Sequence, residues 1–284
     1  MDKLLLVDGH NLLFQMFYGM PSKIIGKDGN SCHGIIGFIG GLLKSVSMNK
    51  PDKLLVIFDG ENNGIRKDIN ENYKANRIDY SQVPFEENPF SQYEGITKAL
   101  DYLNVLHFET NGCETDDIIA SYVYHYHDEY DIIIQSSDND FLQLVNKNVS
   151  LFKYRGKNST RFTPQEVEEK FGVVPEKIAA FKSLVGDSSD NLKGVSKVGI
   201  KTAAKLLNEF ETIDNIYKNI DKIKSNCIRK NLLEAKDLVY QNYSLISLEG
   251  CSFFTIPYII DELDNSLNKK SYKTINVLKE INIL

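Results

Sequence analysis

A chain of 284 residues, 42% hydrophobic and 25% charged, carries enough apolar side chain for a large core, which excludes a disordered polypeptide. No apolar run reaches the roughly 18 residues of a membrane span, and the opening MDKLLLVDGHN meets an acid too early for a secretion signal, so a cytoplasmic protein is expected. The formal net charge of −6 argues against a polyanionic partner only if the acids are spread evenly over the surface.

Four short aliphatic runs end in polar punctuation, as buried parallel strands do: LLLV (4 to 7), LLVIF (54 to 58), NVLHF (104 to 108) and IIIQ (132 to 135). Helical patterns separate them over residues 34–47, 92–103 and 116–126. In the last of these Ile119, Tyr122, Val123 and Tyr126 recur at spacings of three and four. Strands alternating with helices predict an α/β domain with a doubly wound, mainly parallel sheet over residues 1–160. The stretch from about 60 to 92 has no strand signal, carries a polar and partly basic text, and contains Pro84 and Pro89; a long insertion directly after a strand is usually functional.

Beyond about residue 160 the text turns helical, with TPQEVEEKFG, PEKIAAFKSLVGD and KTAAKLLNEF in succession, so a helical lobe is expected over 161–284. Thr163, Pro164 and Glu166 make a good helix start, proline at the first helical position and glutamate completing a capping box. From Lys193 to Lys236 ten basic residues stand against five acids, a local excess of +5 in an acidic chain. Such a run suits a solvated helical face or a nucleic-acid backbone. The four cysteines (Cys32, Cys113, Cys227, Cys251) lie far apart without a CxxC pair, so zinc and a disulfide framework are poorly supported. His125 and His127 read as the end of a tyrosine-rich helix rather than as ligands.

Ligands of an open parallel sheet bind beyond the carboxyl ends of its strands, and here those positions are acidic. The first strand runs into Asp8, the second into Asp59, and IIIQSS into Asp138 with Asp140 two further on. The strand near residue 106 leads to Glu114, Asp116 and Asp117 at a helix start. A single aspartate there is usually a cap. Seven on one edge repel one another unless cations sit between them, and an oxygen-only donor set suits magnesium or manganese. Asp187 and Asp190, in GDSSDN, add two more, enough for a pair of ions of the kind that hydrolyses phosphodiesters. The segment GVSKVGIKT (194 to 202) imitates a phosphate-binding loop, but Ile200 separates its second glycine from Lys201 and no strand precedes it. It reads as a turn between helices that holds a nucleic-acid backbone.

Six stretches in order, VDGHNLL (7 to 13), FDG (58 to 60), RKDINENYKANR (66 to 77), GCETDD (112 to 117), SSDNDFLQLV (136 to 145) and GDSSDNLKGVSKVGIKTA (186 to 203), resemble the bacterial and phage 5′-nuclease family. That family holds the flap endonucleases and the 5′ to 3′ exonuclease domain of DNA polymerase I. The resemblance implies a PIN-like fold, a helical arch at about 60–92, a helix-3-turn-helix at about 180–210 and a C-terminal segment packed back on the core. It implies metal ligation by Asp8, Asp59, Glu114, Asp116, Asp117, Asp138, Asp140, Asp187 and Asp190, with two Mg2+ or Mn2+ ions and a K+ ion at the DNA-gripping turn. Lys74 and Arg77 would act with Asp8 and Asp116 at the scissile phosphate. Tyr73 would stack on a base, Arg66 and Lys67 would serve the arch, and Gly194, Lys197, Gly199, Lys201 and Thr202 would hold duplex DNA. Three positions depart from the family: Gln15 stands where arginine is common, Ser196 and Lys197 replace proline and glycine, and Thr115 replaces alanine. The expected protein is a monomeric, standalone nuclease acting on 5′ flaps, overhangs and RNA-primed ends in replication and repair. A PIN-type ribonuclease and a non-catalytic binder of branched DNA are the alternatives.

Overall fold

Alternate residues of the first strand, β1 (Lys3–Asp8), feed two different cores: Leu4 and Leu6 belong to one, Leu5 and Val7 to the other, and all four are fully buried. Strict alternation with no polar face is what a strand covered on both sides requires. The computed structural model describes every residue except 61–65, 67, 68 and 269.

Five further strands complete the sheet: β2 (Lys53–Phe58), β3 (His107–Glu109), β4 (Asp131–Gln135), β5 (Val149–Lys153) and β6 (Thr160–Phe162), in the order β3-β2-β1-β4-β5-β6. All neighbours are parallel except β5 and β6, which pair antiparallel. The doubly wound sheet is as expected, with two strands that the aliphatic runs did not announce. The strand expected at 104–108 begins later. Asn104 takes a left-handed backbone (φ 53) and the Val105 amide still bonds the Leu100 carbonyl, so this segment closes a helix before the strand starts.

One face of the sheet is covered by α1 (Gly9–Gly19), α2 (His33–Asn49), α3 (Tyr93–Tyr102) and, from the far end of the chain, α11 (Thr274–Glu280), through residues such as Leu13, Phe38, Leu100 and Leu278. The other face is covered by α4 (Thr115–Tyr126) and by the helical region formed by α5 (Pro164–Phe171), α6 (Ile178–Val185), α7 (Ile200–Phe210), α8 (Ile213–Lys218), α9 (Asn226–Glu234) and α10 (Lys236–Ile246). Ile119 and Tyr122 of α4 share one continuous cluster with Phe181, Leu184, Leu207, Ile216 and Val239. The helical region is thus fused to the sheet through a common core. Its first helix begins as the capping box predicts, the Thr163 amide donating to Glu166 at 2.9 Å.

A short hairpin, β7 (Gly186–Asp187) against β8 (Leu192–Lys193), leaves α6 and lifts the GDSSDN loop above the sheet edge. Gly186 has φ +88, and a Cβ on Gly194 would lie 2.0 Å from the Val185 carbonyl oxygen, so only glycine lets these backbones meet. Among the described residues no helix is long and apolar enough to cross a membrane.

Candidate active site

The chain leaves β1 toward β2 on one side and reaches β4 on the other, so the carboxyl ends of β1 and β4 flank the point where the strand order reverses. Asp8 ends β1. Its Oδ1 accepts from the Asn11 amide (3.0 Å), capping α1, and its Oδ2 accepts from the Ser136 hydroxyl (2.8 Å) at the end of β4. Burial, with the nearby charge of Asp59, pushes its carboxyl up to about 7. Asp59, just past β2, accepts from the Thr115 amide at 2.8 Å and lies 3.7 Å from His10 Nδ1. Burial works against its ionisation, but the His10 and Thr115 contacts outweigh it and hold the group at about 2.

Asp116, in the first turn of α4, is driven well above the usual carboxylate range by burial and then by Asp138. Asp138 accepts from the Asp140 amide at 2.9 Å, which seats the two acids side by side. Asp140 is pushed to about 7 by burial and by Asp138, against the pull of Lys182. Single oxygens of Asp140, Asp187 and Asp190 all lie within 4.8 Å of one another. Asp190 is raised, by burial first; Asp187 is lowered, the Lys182 contact overriding its burial.

Protein cations answer only part of this charge. Arg66 pairs with Glu114 (3.0 Å) and Asp117 (2.6 Å), Lys74 with Glu114 (2.8 Å), Arg77 with Asp190 (3.1 Å), and Lys182 with Asp140 and Asp187. Among the described residues, Asp8, Asp116 and Asp138 have no cationic side chain within 4.0 Å, and Asp59 has only His10. Uncompensated carboxylates with oxygen-only donors, lining a cleft of about 950 Å³, fit a hard divalent cation. All nine acids expected from the sequence are therefore at one sheet edge. Arg66 bridges Glu114 and Asp117, and the Glu114 amide donates to Asp117 at 3.0 Å, so these two are tied to each other as well as to a cation.

The segment after Asp59 differs from the sequence expectation at two positions. Arg66 was expected to face a nucleic acid; it points inward instead, its guanidinium also donating to the Leu245 carbonyl at 3.0 Å. Tyr73 was expected to offer its ring to a base; it is 3% exposed and packs among Ala179, Leu192, Leu245 and Ile246, because an apolar pocket between α6 and α10 accepts a flat ring better than water does. Lys67 lies outside the described residues. Lys74 and Arg77 do reach the acids. Their strand of chain is pinned there by the Lys74 amide on the Asp190 carbonyl (3.1 Å), Asn76 on the Ser188 carbonyl (2.9 Å) and Asn191 on the Asn72 carbonyl (3.0 Å).

Sequence reasoning missed an aromatic wall in the same cleft. Phe14, Tyr80 and Phe90 lie edge to face, with centroids 5.2 to 5.5 Å apart, and His10 stands 5.1 Å from Phe90. It also missed Lys182. A lone lysine in the buried helix AAFKSLV was the available signal, since such a group needs an anion beside it. Gln15 donates to the Tyr154 carbonyl, in a neighbouring hollow that Phe14 also lines.

At the turn into α7, Gly194 and Gly199 bound the loop and Gly199 caps the helix. The Thr202 amide donates to the Gly199 carbonyl at 3.0 Å. Lys193, Lys197, Lys201 and Lys205 are exposed, and among the described residues none has a carboxylate within 4.0 Å. Lys197 holds a left-handed backbone (φ 63), the conformation that favours glycine.

Residues 3–172 match the family described as 5′-3′ exonuclease, N-terminal resolvase-like domain, and residues 173–265 match 5′-3′ exonuclease, C-terminal SAM fold. The 5′-3′ exonuclease of Buchnera aphidicola subsp. Schizaphis graminum is 32% identical over 97% of this chain and 94% of its own length. The DNA polymerase I of Caldicellulosiruptor bescii is 35% identical over 87% of this chain, which spans only 29% of that polymerase. In fold, the chain is similar to a bacteriophage T5 flap endonuclease solved as a complex with DNA and metal ions (TM-score 0.73, 22% identity, 98% of this chain and 97% of the other).

Proposed function

Because this chain belongs to the 5′-3′ exonuclease family, we propose that the cleft at its sheet edge hydrolyses phosphodiesters near the 5′ ends and flaps of branched DNA, as in trimming 5′ flaps and RNA primers. One observation carries the reading: among the described residues Asp8, Asp116 and Asp138 stand without a cationic side chain within 4.0 Å, in the same cleft that Lys74 and Arg77 line. The carboxylates Asp8, Asp59, Asp116 and Asp138 would hold one magnesium or manganese ion, and Asp140, Asp187 and Asp190 a second. Bound there, such ions supply Lewis acidity to the phosphodiester and a more acidic water for attack.

The chain's own side chains do the positioning. Lys74 and Arg77 exchange their carboxylate partners for non-bridging oxygens of the scissile phosphate, an exchange of one anion for another that costs little desolvation. Glu114 and Asp117, fixed by Arg66, hold the start of α4 and with it Asp116. Exposed Lys193, Lys197, Lys201 and Lys205 grip the duplex backbone without reading bases. The potassium ion implied by the resemblance would share that turn with the Lys197 ammonium; duplex binding in potassium against lithium chloride tests it.

The deciding experiment is a 5′-labelled DNA flap incubated with protein and magnesium. Cleavage is expected. Lys74→Ala should slow single-turnover cleavage by about 10²- to 10³-fold, the usual effect of removing one aimed donor, while flap binding in calcium is retained. An uncut flap at every protein concentration would refute the enzymatic reading, and faster cleavage of an RNA flap than of a DNA flap would move the assignment to a ribonuclease.

A further inference from the structure

We propose that the Lys182 ammonium is the resident cation of the Asp140, Asp187 and Asp190 triad, so that a divalent ion enters this position only by displacing it and fills it after the position at Asp8, Asp116 and Asp138. The inference rests on the reading of that triad as metal ligands. It concerns the unequal protein charge at the two halves of the acidic cluster.

Lys182 stands in the last turn of α6, between fully buried Ser183 and Phe181 (3% exposed), and its own side chain is 12% exposed. Its Nζ contacts Asp140 and, at 2.5 Å, Asp187. The three carboxylate oxygens of the triad lie within 4.8 Å of one another, and a hard divalent ion would hold oxygens at about 2.0–2.6 Å, in the same volume between them. An ammonium and a divalent ion sharing those oxygens would repel each other in a site largely closed to water. The other half of the cluster meets no such rival, since Asp8, Asp116 and Asp138 have no cationic side chain within 4.0 Å among the described residues. Arg77, the second cation at the triad, touches only Asp190, and its side chain is 53% exposed, so it can swing into water. Lys182, its side chain 12% exposed, cannot swing out in the same way and is the stronger barrier. Its presence also explains how three crowded carboxylates coexist before any ion binds.

The test is calorimetric titration of manganese into the full chain stripped with chelator, comparing the wild type with Lys182→Met, Lys182→Arg and Asp190→Asn. Two events of unequal affinity are expected in the wild type, and none for the second ion in Asp190→Asn. In Lys182→Met the second event should tighten by about 10- to 100-fold, the range over which groups around a metal site tune affinity. Lys182→Arg, which keeps a cation in place, should leave it weak. A second event unchanged or weakened in Lys182→Met, yet abolished in Asp190→Asn, overturns the inference and leaves the triad as ligands. A single event in both the wild type and Lys182→Met overturns the two together. Acetylation of the wild-type protein, read by mass spectrometry, needs no variant to fold: Lys182 should become more reactive across the second manganese event, and constant reactivity would overturn the displacement.

Discussion

Arg66 donates to both carboxylate oxygens of Asp117, at 2.6 and 3.1 Å, and this pair is buried, with side chains 11% and 7% exposed. The same guanidinium reaches Glu114 and the Leu245 carbonyl, so one side chain ties the segment after Asp59 to the start of α4 and the end of α10. Removing one partner of a buried pair strands the other charge, which typically costs about 3–5 kcal/mol. Arg66→Ala should therefore lower the urea midpoint by that free energy with an unchanged m-value. A loss below about 1 kcal/mol, the range of a solvent-exposed pair, would place Arg66 in solution and free it to contact nucleic acid.

Stability without metal should fall as pH rises through neutrality. Asp8 and Asp140 are lifted from an ordinary 3.8 to about 7, and Asp116 and Asp190 are lifted as well. Between pH 3.8 and about 7 the folded chain therefore binds more protons than the unfolded one, so unfolding free energy decreases with rising pH across that window. Asp59, held at about 2, acts in the opposite sense only below pH 3.8. The chelated protein should melt higher at pH 6 than at pH 8, Asp8→Asn should flatten the difference, and manganese should restore more stability at pH 8, where its ligands are ionised. Equal melting temperatures at the two pH values in chelator would mean that the carboxylates are not crowded.

The acids were legible because each is a local event, an apolar run closed by an aspartate or a helix opened by one. The sheet turns those separate endings into one edge. Strand β5 was hidden because Ser150 and Lys153, both buried, interrupt its aliphatic pattern, and the partners of Lys153, the Ser137 carbonyl, Asn139 and the Phe162 ring, come together only in space. Strand β6 is three residues long with an arginine at its centre. The inward turn of Arg66 depends on partners 48, 51 and 179 residues away, and the burial of Tyr73 on a pocket between two distant helices. Nothing in RKDINENYKANR distinguishes a basic side chain facing phosphate from one facing a carboxylate.

Burial of Tyr73 predicts a separation of roles between aromatic residues. Tyr73→Ala removes a ring packed on Leu192, Leu245 and Ile246 and should cost about 3–5 kcal/mol of stability. Phe14, half-buried on the cleft wall, should behave oppositely. Phe14→Ala should change the unfolding midpoint little and weaken binding of a 5′ overhang about 5- to 150-fold, as loss of one stacked base at about 1–3 kcal/mol implies. Anisotropy in calcium, paired with denaturation curves, measures both. Unaltered stability with lost binding in Tyr73→Ala would return the stacking role to Tyr73.

The turn into α7 should carry the salt dependence of duplex binding. The chain is acidic overall, so electrostatic attraction has to be local, and Lys193, Lys197, Lys201 and Lys205 form an exposed group without carboxylate partners among the described residues. Each lysine that releases a counterion from the duplex contributes about one unit to the slope of log affinity against log salt. Lys201→Ala and Lys205→Ala should each lower that slope by about 1 and weaken binding equally for unrelated sequences. Lys98, whose ammonium is paired with Glu94 at 2.6 Å on α3, is the matched control, and Lys98→Ala should leave the slope unchanged. If Lys98→Ala lowered the slope as much as Lys201→Ala, the attraction would come from diffuse surface charge, and the α7 turn would lose its assignment as the duplex grip.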